Sequence, residues 1–578
     1  MTMGVASQRF VRWARGGAGH RWAAIACLCL AAAPVAGAPG GAPQVRVKQG
    51  VLRGVAEPGN VTAWKGIPYA KPPVGELRWR APIPAPGWTG VRDATKFGAA
   101  CVQPPSSPSG LYYGGMAATS EDCLTLNVWA PAGARKLPVM VWIHGGALVG
   151  GSSSEPLYDG VKLARQGIIL VSINYRLGLL GFLAHPALSA ESPQHLSGNY
   201  GLLDQIAALR WVHDNIAAFG GDPAKVTIAG ESAGGLSVIA LLASPQARGL
   251  FSKAISESGY LPSYRALHDA TNGLPSAEDA GAALARAAGV AGDAAALRAA
   301  DPAALFKAGL ATGWQPEPVI DGFVLKRQMA ETFARGEQAK VPVLAGFNEG
   351  EIRSLLFLMP PGPLPESQAA YVADIKRRFG DAASRYLAVY PGADPRADVM
   401  ASIRDGLYGW AAHYIVRQAA AVGQPGYLYF FRHSTPAERA RDLAAFHASE
   451  LPYVFGQVGA SAALGPNWPR PPLTQAESRL SDAMMGYWAS FVKTGVPTAS
   501  REVPWPRYTA GNHAYLDLDD RPAAKRDLKA GAFAWADALV ARRREQGQSW
   551  RLDIGFSAFP APLGGVDAAA SKRQPEAR

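Results

Sequence analysis

Cysteine is scarce in this chain of 578 residues, and its scarcity limits the kinds of site that the chain can form. Two of the four cysteines, Cys27 and Cys29, belong to the N-terminal segment, which leaves Cys101 and Cys123 in the remainder. Two thiols cannot supply the four ligands of a structural zinc site. We therefore expect no cysteine-based metal site.

Charge is also sparse, because charged residues make up only 18% of the chain. The formal net charge of +12 is spread out, apart from the run Arg542-Arg543-Arg544, which we interpret as the solvated face of a late helix. Nucleic-acid-binding proteins concentrate basic residues in a patch with interleaved aromatic residues, or carry a recognisable module. The sequence has neither feature, so we expect no nucleic-acid partner.

Only one apolar run is long enough to consider as a membrane segment. Residues 22–36 follow four arginines and end in small residues, which is typical of a cleaved secretory signal over residues 1–38. The run is short for a span and contains Pro34, so it does not predict a stable membrane anchor. We expect an exported protein, periplasmic or secreted. In an oxidising compartment, Cys101 and Cys123 are expected to form a disulfide; the alternative is two unrelated buried thiols.

Internal repeats and flexible linkers are absent as well, so residues 43–560 are predicted to form a single domain, followed by a loose tail over residues 566–578. Residues 44–54 alternate as a hairpin does. Apolar runs at 137–143, 168–174, 341–346 and 427–431 predict buried strands, and residues 199–216 carry helical spacing. An Ala-rich stretch, residues 276–306, is predicted to be helical, with a cap at Ser276. The pattern indicates an α/β protein.

Residues 225–244 contain the most informative motif. The β-branched run Val226-Thr227-Ile228 leads into Gly230-Glu231-Ser232-Ala233-Gly234-Gly235, and an apolar helix follows until Pro245. A G-x-S-x-G sequence between a strand and a helix predicts a nucleophile elbow with Ser232 at its tip. The helix N-terminus then directs backbone N–H groups toward developing negative charge.

A second glycine-rich turn follows the predicted strand at 137–143. It reads His144-Gly145-Gly146-Ala147-Leu148-Val149-Gly150-Gly151. A turn of this kind upstream of an elbow is where serine hydrolases of α/β architecture complete their oxyanion hole. A phosphate-binding loop is the alternative, but the turn lacks the Lys-Ser/Thr that such a loop requires.

A nucleophilic serine needs a histidine base and an acid that orients it, and both are expected downstream of Ser232. His447 lies in a loop that follows the predicted strand at 427–431, and His433 is the substitute base. The acid is expected after the strand at 341–346, where Glu349 and Glu351 stand two residues apart. From the residues alone, the two glutamates are equally good candidates.

Two further segments connect these motifs to a known family. Residues 64–79 (WKGIPYAKPPVGELRW) contain prolines that predict an irregular surface segment, and residues 121–128 read EDCLTLNV. Both resemble signatures of the type-B carboxylesterase/lipase family, the cholinesterase-like α/β-hydrolases, and the whole is similar to a bacterial exported carboxylesterase. The resemblance implies an α/β-hydrolase fold: a large, mostly parallel sheet flanked by helices. Helical insertions such as residues 276–306 would form the rim of the pocket.

The resemblance also implies roles for individual residues. It makes Ser232, Glu351 and His447 the catalytic triad, and the backbone N–H groups of Gly146, Ala147 and Ala233 the oxyanion hole. Glu231 would be a secondary electrostatic contributor, Ser258 would hydrogen bond near the acid, and Arg176 would pair with Asp204. The sequence departs from the family pattern at Ala147 and Ala448, where glycine is usual, and at Gly350, where an acid is usual.

The implied function is hydrolysis of carboxylic esters through an acyl-enzyme, with a small-molecule ester as partner and no metal or organic cofactor. Cholinesterases carry a tryptophan in their first disulfide loop to bind a quaternary ammonium, whereas residues 101–123 offer only Tyr112 and Tyr113. This argues against choline esters. Two alternatives remain: a catalytically silent adhesion or binding protein of the same fold, and a lipase acting at interfaces.

Overall fold

The computed structural model describes residues 42–115, 118–290, 292–355, 365–460 and 463–550. The predicted signal peptide (1–38) and C-terminal tail (566–578) lie outside the described residues, as do the last ten residues of the predicted domain.

The described residues form strands that belong to three sheets. The strands are β1 (Gln44–Val47), β2 (Gly50–Arg53), β3 (Val55–Glu57), β4 (Val61–Pro68), β5 (Val91–Asp93), β6 (Ala100–Cys101), β7 (Thr119–Ser120), β8 (Thr125–Pro131), β9 (Leu137–Ile143), β10 (Ile169–Ile173), β11 (Gly221–Glu231), β12 (Lys253–Glu257), β13 (Val343–Asn348), β14 (Gly426–Phe431), β15 (Ala514–Leu518) and β16 (Ala523–Arg526).

Helices occupy most of the connections. They are α1 (Val161–Arg165), α2 (Gly178–Phe182), α3 (Pro186–Glu191), α4 (Tyr200–Asn215), α5 (Ala233–Ala243), α6 (Ala277–Ala287), α7 (Ala294–Ala299), α8 (Pro302–Thr312), α9 (Met329–Ala334), α10 (Gln368–Phe379), α11 (Ala383–Val389), α12 (Pro395–Arg404), α13 (Trp410–Ala421), α14 (Pro436–Ala440), α15 (Leu451–Val454), α16 (Gln475–Thr494) and α17 (Ala530–Glu545). None of those within the described ranges is both long and apolar enough to cross a membrane.

The main sheet has eleven strands in the order β16-β15-β14-β13-β12-β11-β9-β10-β8-β4-β3. The seven strands from β15 to β10 in this order run parallel, and antiparallel strands flank them at both ends. Parallel strands present their carboxyl ends at one edge of a sheet, which is where α/β proteins build their sites. The large, mostly parallel sheet expected from the sequence is therefore present.

Helices cover both faces of this sheet, and the strands show why. Along β9, Val139, Val141 and Ile143 enter one core cluster, which also contains the buried residues of α4 and α5. The alternate residues Met140 and Trp142 enter a second cluster with those of α16. A strand buried on both faces has no polar side to display, which explains its continuous apolar sequence.

Most local predictions agree with the structure. β1 and β2 form the predicted hairpin, and α4 spans residues 200–215. The Ser276 hydroxyl accepts from the Asp279 N–H (2.9 Å) and caps α6, although α8 runs six residues beyond the predicted stretch. Buried Arg176 forms a two-pronged pair with Asp204 at 2.7 Å. Cys101 and Cys123 form the predicted disulfide, with Cα atoms 5.0 Å apart.

Two predictions about local structure are wrong. The proline-rich segment 64–79 is predicted to be irregular, but its first five residues continue β4, because the first proline of the segment, Pro68, comes only where that strand ends. The arginine run of α17 is not entirely solvated. Arg543 is only 2% exposed, because the chain returns over it and the Ser549 carbonyl accepts a hydrogen bond from its guanidinium (3.0 Å).

Candidate active site

Ser232 stands at a sharp turn between β11 and α5. Its backbone angles, φ 57° and ψ −120°, lie in a region that is strained for a residue with a side chain. The Ser232 N–H donates to the Glu257 carbonyl (2.9 Å), which fixes the turn against β12. A Cβ atom on Gly234 would collide with the Ile143 carbonyl, so the turn can form only with glycine there. The predicted elbow is therefore present, and Ser232 is 9% exposed.

Glu351 and His447 lie in direct contact. The His447 Nδ1 atom is 2.5 Å from Glu351 Oε2, and both side chains are buried. Glu351 starts a short 3₁₀ turn, Glu351–Ser354, just after β13. A carboxylate at this distance selects the imidazole tautomer that carries its proton on Nδ1 and leaves Nε2 as the basic nitrogen.

Further hydrogen bonds hold the Glu351 carboxylate in place. Its Oε1 atom accepts from the Ser258 hydroxyl (2.6 Å) and from the Asn348 backbone N–H (2.8 Å). Ser258 follows β12 directly, as Asn348 ends β13, so two neighbouring strands orient one carboxylate. The hydrogen bond expected of Ser258 near the acid is present.

The loop that carries His447 is attached to the same strand end. The Gly350 N–H donates to the Ala445 carbonyl (2.7 Å), and the Asn348 side-chain amide donates to the Phe446 carbonyl (2.9 Å). These bonds bring His447 to Glu351, although 96 residues separate them in the sequence. Tyr408, which lies in a short π-helical turn (Asp405–Gly409), covers the imidazole with ring centroids 5.1 Å apart.

Glu231 lies on the other side of the imidazole. Its Oε1 atom is 3.2 Å from His447 Nε2. Burial, followed by the nearby carboxyls of Glu351, Glu257 and Glu155, raises the pKa of Glu231 well above its ordinary value. The same causes favour the neutral form of the Glu231 carboxyl, which weakens any purely electrostatic role.

Glu257 and Glu450 complete a group of buried carboxyls beneath the site. Burial raises the pKa of Glu257 to about 8, even though the Trp488 indole donates a hydrogen bond to it (2.9 Å). Burial, together with the carboxyls of Glu231, Glu257 and Glu351, also raises the pKa of Glu450. Buried carboxyls that interact with one another cannot all ionise, so protons remain on part of the group.

The glycine-rich turn after β9 lies beside the elbow. A Cβ atom on Gly145 would be 3.1 Å from the Ser232 Cβ, so the two backbones approach closely. Gly146, Ala147 and Leu148 have φ values of 103°, 57° and 60°. Among the described residues, no acceptor pairs with the backbone N–H groups of Gly146, Ala147 or Ala233. Within these ranges, the three N–H groups therefore have no competing acceptor.

The alternative candidates have other partners. His433 contacts Glu477 through Nε2 and Asp520 through Nδ1, both at 2.9 Å. Asp519, whose carboxylate is the third potential metal ligand beside His433 and Asp520, pairs with Arg432 at 2.7 Å. Protein partners thus account for the one group of potential metal ligands that the described ranges contain.

Glu349 follows β13 without reaching either histidine: no hydrogen bond or ion pair between described residues involves its carboxylate.

The sequence did not single out several residues of this site: Asn348, Ser354, Glu257 and Glu450. A local signal exists for two of them, because Ser354 stands three residues after Glu351 and Glu450 three residues after His447. That spacing brings side chains together on a helical turn. Glu257 has no such signal, since it reaches the site only because β12 pairs with β11, with Glu257 opposite Glu231.

Comparison of the chain with known proteins identifies its family and several relatives. Residues 41–535 match the carboxylesterase family. The chain is 38% identical over 512 residues to fumonisin B1 esterase of Sphingopyxis macrogoltabida, covering 86% of this chain and 89% of that protein. It is 37% identical over 510 residues to para-nitrobenzyl esterase of Bacillus subtilis, covering 84% and 96%.

Solved structures similar to this protein are also esterases. A carboxylesterase of Geobacillus stearothermophilus superposes with a TM-score of 0.73 at 34% identity, over 85% of this chain and 99% of that one. A PNB esterase superposes with a TM-score of 0.71 at 35% identity, over 86% and 100%. The architecture is that of an α/β-hydrolase. The chain belongs to the carboxylesterase family and is a carboxylic ester hydrolase.

Proposed function

We propose that the protein cleaves small-molecule carboxylic esters through an acyl-enzyme formed on Ser232, with His447 as general base and Glu351 as the acid that orients it. The observation that carries this proposal is the 2.5 Å contact between His447 Nδ1 and Glu351 Oε2, at the sheet edge where the Ser232 elbow also stands. This contact leaves Nε2 as the basic nitrogen of His447, 3.2 Å from Oε1 of Glu231, the residue before Ser232. A serine requires such a base to become nucleophilic.

Acylation begins when His447 Nε2 takes the hydroxyl proton of Ser232 as Oγ attacks the ester carbonyl. The carbonyl oxygen gains a negative charge, which the N–H groups of Gly146, Ala147 and Ala233 stabilise. Each such donor contributes about 3 to 4 kcal/mol to the transition state. The tetrahedral intermediate then collapses, the alcohol leaves with the proton from Nε2, and the acyl group remains on Ser232.

Deacylation repeats these steps with water. His447 removes a proton from the water, the oxyanion forms in the same hole, and the carboxylic acid leaves as Ser232 recovers its proton. Glu231 keeps a secondary role, because its oxygen 3.2 Å from Nε2 can accept a hydrogen bond from the transient imidazolium even when the carboxyl is neutral. None of these steps uses a metal or an organic cofactor.

Export belongs to the same proposal. The arginine-flanked apolar segment at residues 1–38 supports a cleaved signal, and the Cys101–Cys123 disulfide supports an oxidising compartment, periplasmic or extracellular. Residues 43–560 would then form the mature hydrolase domain, with helices α6–α8 at the rim of its pocket.

The test is hydrolysis of p-nitrophenyl esters of increasing acyl length by the mature protein, beside Ser232→Ala. We expect turnover by the wild type and a loss of at least about a thousandfold in the variant with an unchanged melting temperature. Ser237→Ala is the matched control, because Ser237 lies in the helix of the same elbow but bonds to the Ala233 carbonyl. A folded wild type that cleaves none of the esters would contradict the proposal.

A further inference from the structure

Tyr112 joins the disulfide loop (residues 101–123) to the two proposed catalytic loops. Its hydroxyl oxygen lies 2.7 Å from the Ser354 hydroxyl and 2.9 Å from the main-chain carbonyl of His447. The His447 N–H in turn donates to the Ser354 hydroxyl at 3.3 Å. Three residues from distant parts of the sequence thus form a closed ring of hydrogen bonds around the His447 peptide groups.

The chemistry of the groups fixes the direction of two bonds in this ring. A carbonyl can only accept, so Tyr112 donates to His447. A backbone N–H can only donate, so Ser354 accepts from His447. With the Tyr112 proton used in the first of these bonds, the Ser354 hydroxyl can donate to the Tyr112 oxygen at 2.7 Å, a shorter contact than its other acceptor, the Glu351 main-chain carbonyl at 3.4 Å. Every group in the ring then has a partner in one consistent proton arrangement.

The His447 main chain needs these hydrogen bonds because no helix or strand holds it in place. It lies between α14 and α15, outside any helix or strand, and Ala448 beside it has a φ of 68°. A left-handed alanine is strained by about 1 kcal/mol or more and persists only when its surroundings impose it. The ring holds both peptide groups of the residue whose imidazole must be precisely oriented.

We propose that Tyr112 is a positioning residue: its hydroxyl closes the ring with Ser354 and the His447 main chain, and so sets the imidazole against Glu351. Ser354 ends the 3₁₀ turn that Glu351 begins, so the ring couples the acid and the base. This inference rests on the proposed function, since it assigns Tyr112 a part in orienting the proposed triad.

The surroundings of Tyr112 agree with a fixed role. Its ring packs edge-on against Trp468 with centroids 5.7 Å apart, and lies 6.4 Å from the Phe446 ring. The Asn467 amide donates to the Pro108 and Gly110 carbonyls at 2.7 and 3.0 Å, which attaches the disulfide loop next to Trp468. The tyrosine is thus held by its loop, its ring and its hydroxyl, rather than presented to bind a cation.

The test compares Tyr112→Phe, which removes only the hydroxyl, with Tyr113→Phe as the matched control in the same loop. We expect Tyr112→Phe to lower kcat by about tenfold or more, with KM within about twofold and the fold retained, because misplacement by a fraction of an ångström slows chemistry without weakening binding. Ser354→Ala should have a similar effect, and the double variant should lose little more than either single one.

A second readout does not depend on turnover. The proton between His447 Nδ1 and Glu351 should give a low-field ¹H NMR resonance that is absent in Glu351→Gln, and Tyr112→Phe should shift or broaden it. An unchanged resonance in Tyr112→Phe, or a kcat equal to that of Tyr113→Phe, would overturn the inference. An inactive wild type would contradict the proposed function instead, and the resonance would still decide the role of Tyr112.

Discussion

Glu351 and His447 share one short hydrogen bond, 2.5 Å between Oε2 and Nδ1, and the Glu351 carboxylate is otherwise held by Ser258 and Asn348. One oxygen thus contacts the imidazole while the other is saturated by two donors. This division fixes the carboxylate plane and, through it, the direction of His447 Nε2. The pair explains how a glutamate would serve as the acid of the proposed triad.

Replacing Glu351 by glutamine should reduce kcat by about a thousandfold or more. The amide is isosteric with the carboxylate, but it can present an N–H to Nδ1 and so favour the wrong imidazole tautomer. Steady-state kinetics on a p-nitrophenyl ester measure the effect. Glu349→Gln, two residues away, is the matched control and should retain nearly full activity. Equal losses in the two variants would refute the assignment of Glu351.

The glycine-rich turn should respond very differently at adjacent positions. A Cβ atom on Gly146 would collide with the Gly150 carbonyl, and Gly146 has a φ of 103°. Gly146→Ala should therefore distort the turn and reduce kcat by roughly a hundredfold to a thousandfold, the effect of losing one proposed oxyanion donor. Ala147→Gly should keep the activity, because the donor is backbone and glycine relieves the strain of φ 57°. Measured kcat values that fall equally in both would contradict this account of the turn.

Glu257 should make stability depend on pH. Its pKa is about 8 in the folded protein and near 4.5 in the unfolded chain, so the folded state binds the proton more tightly. As pH rises from 5 to 8, the unfolded state releases its proton first and the free energy of unfolding falls. Glu257→Gln should remove this pH-dependent component, because glutamine does not titrate. The glutamine amide oxygen can still accept the hydrogen bond from Trp488, so the local packing is kept. Urea unfolding at pH 5 and pH 8 measures this change in the free energy of unfolding.

Other buried carboxyls act in the same direction. The comparison reports Glu257 together with the part of the Glu231 and Glu450 pKa shifts that its carboxylate causes. The expected result is a smaller decrease in unfolding free energy between pH 5 and pH 8 for Glu257→Gln than for the wild type. Identical decreases would show that Glu257 titrates normally in the folded protein.

The Cys101–Cys123 disulfide should contribute roughly 3 kcal/mol to the free energy of unfolding, the amount expected for a loop of about twenty residues. Urea unfolding of a variant with both cysteines replaced by alanine measures the loss. Addition of a reductant is the internal control: it should lower the urea midpoint of the wild type and leave that of the variant unchanged. A wild-type urea midpoint that does not change when the reductant is added would contradict the prediction.

The strands and the elbow could be predicted because their signals are local. The predicted strand at 137–143 has the same bounds as β9, and the predicted strand at 427–431 is one residue short of β14. The prediction at 341–346 is displaced by two residues from β13, Val343–Asn348. Pro342 explains the later start, because proline has no N–H to donate to a sheet.

The choice of acid could not be derived from local pattern alone. Glu349 and Glu351 are two residues apart and follow the same strand, so composition and spacing treat them alike. The 3₁₀ turn that starts at Glu351 directs its side chain inward, beside a loop from 96 residues later. The pairing of Glu231 with Glu257 likewise depends on strand register. The burial of Arg543 depends on the path that the chain takes after α17. These are tertiary relationships.

Labelling of Ser232 by a fluorophosphonate tests the central claim most directly, because only an activated serine reacts with such a reagent at neutral pH. Intact-mass analysis should show one adduct per wild-type chain, peptide mapping should locate it on Ser232, and Ser232→Ala should remain unmodified. A well-folded wild type that takes up no label, or that carries it on another residue, would contradict Ser232 as the nucleophile.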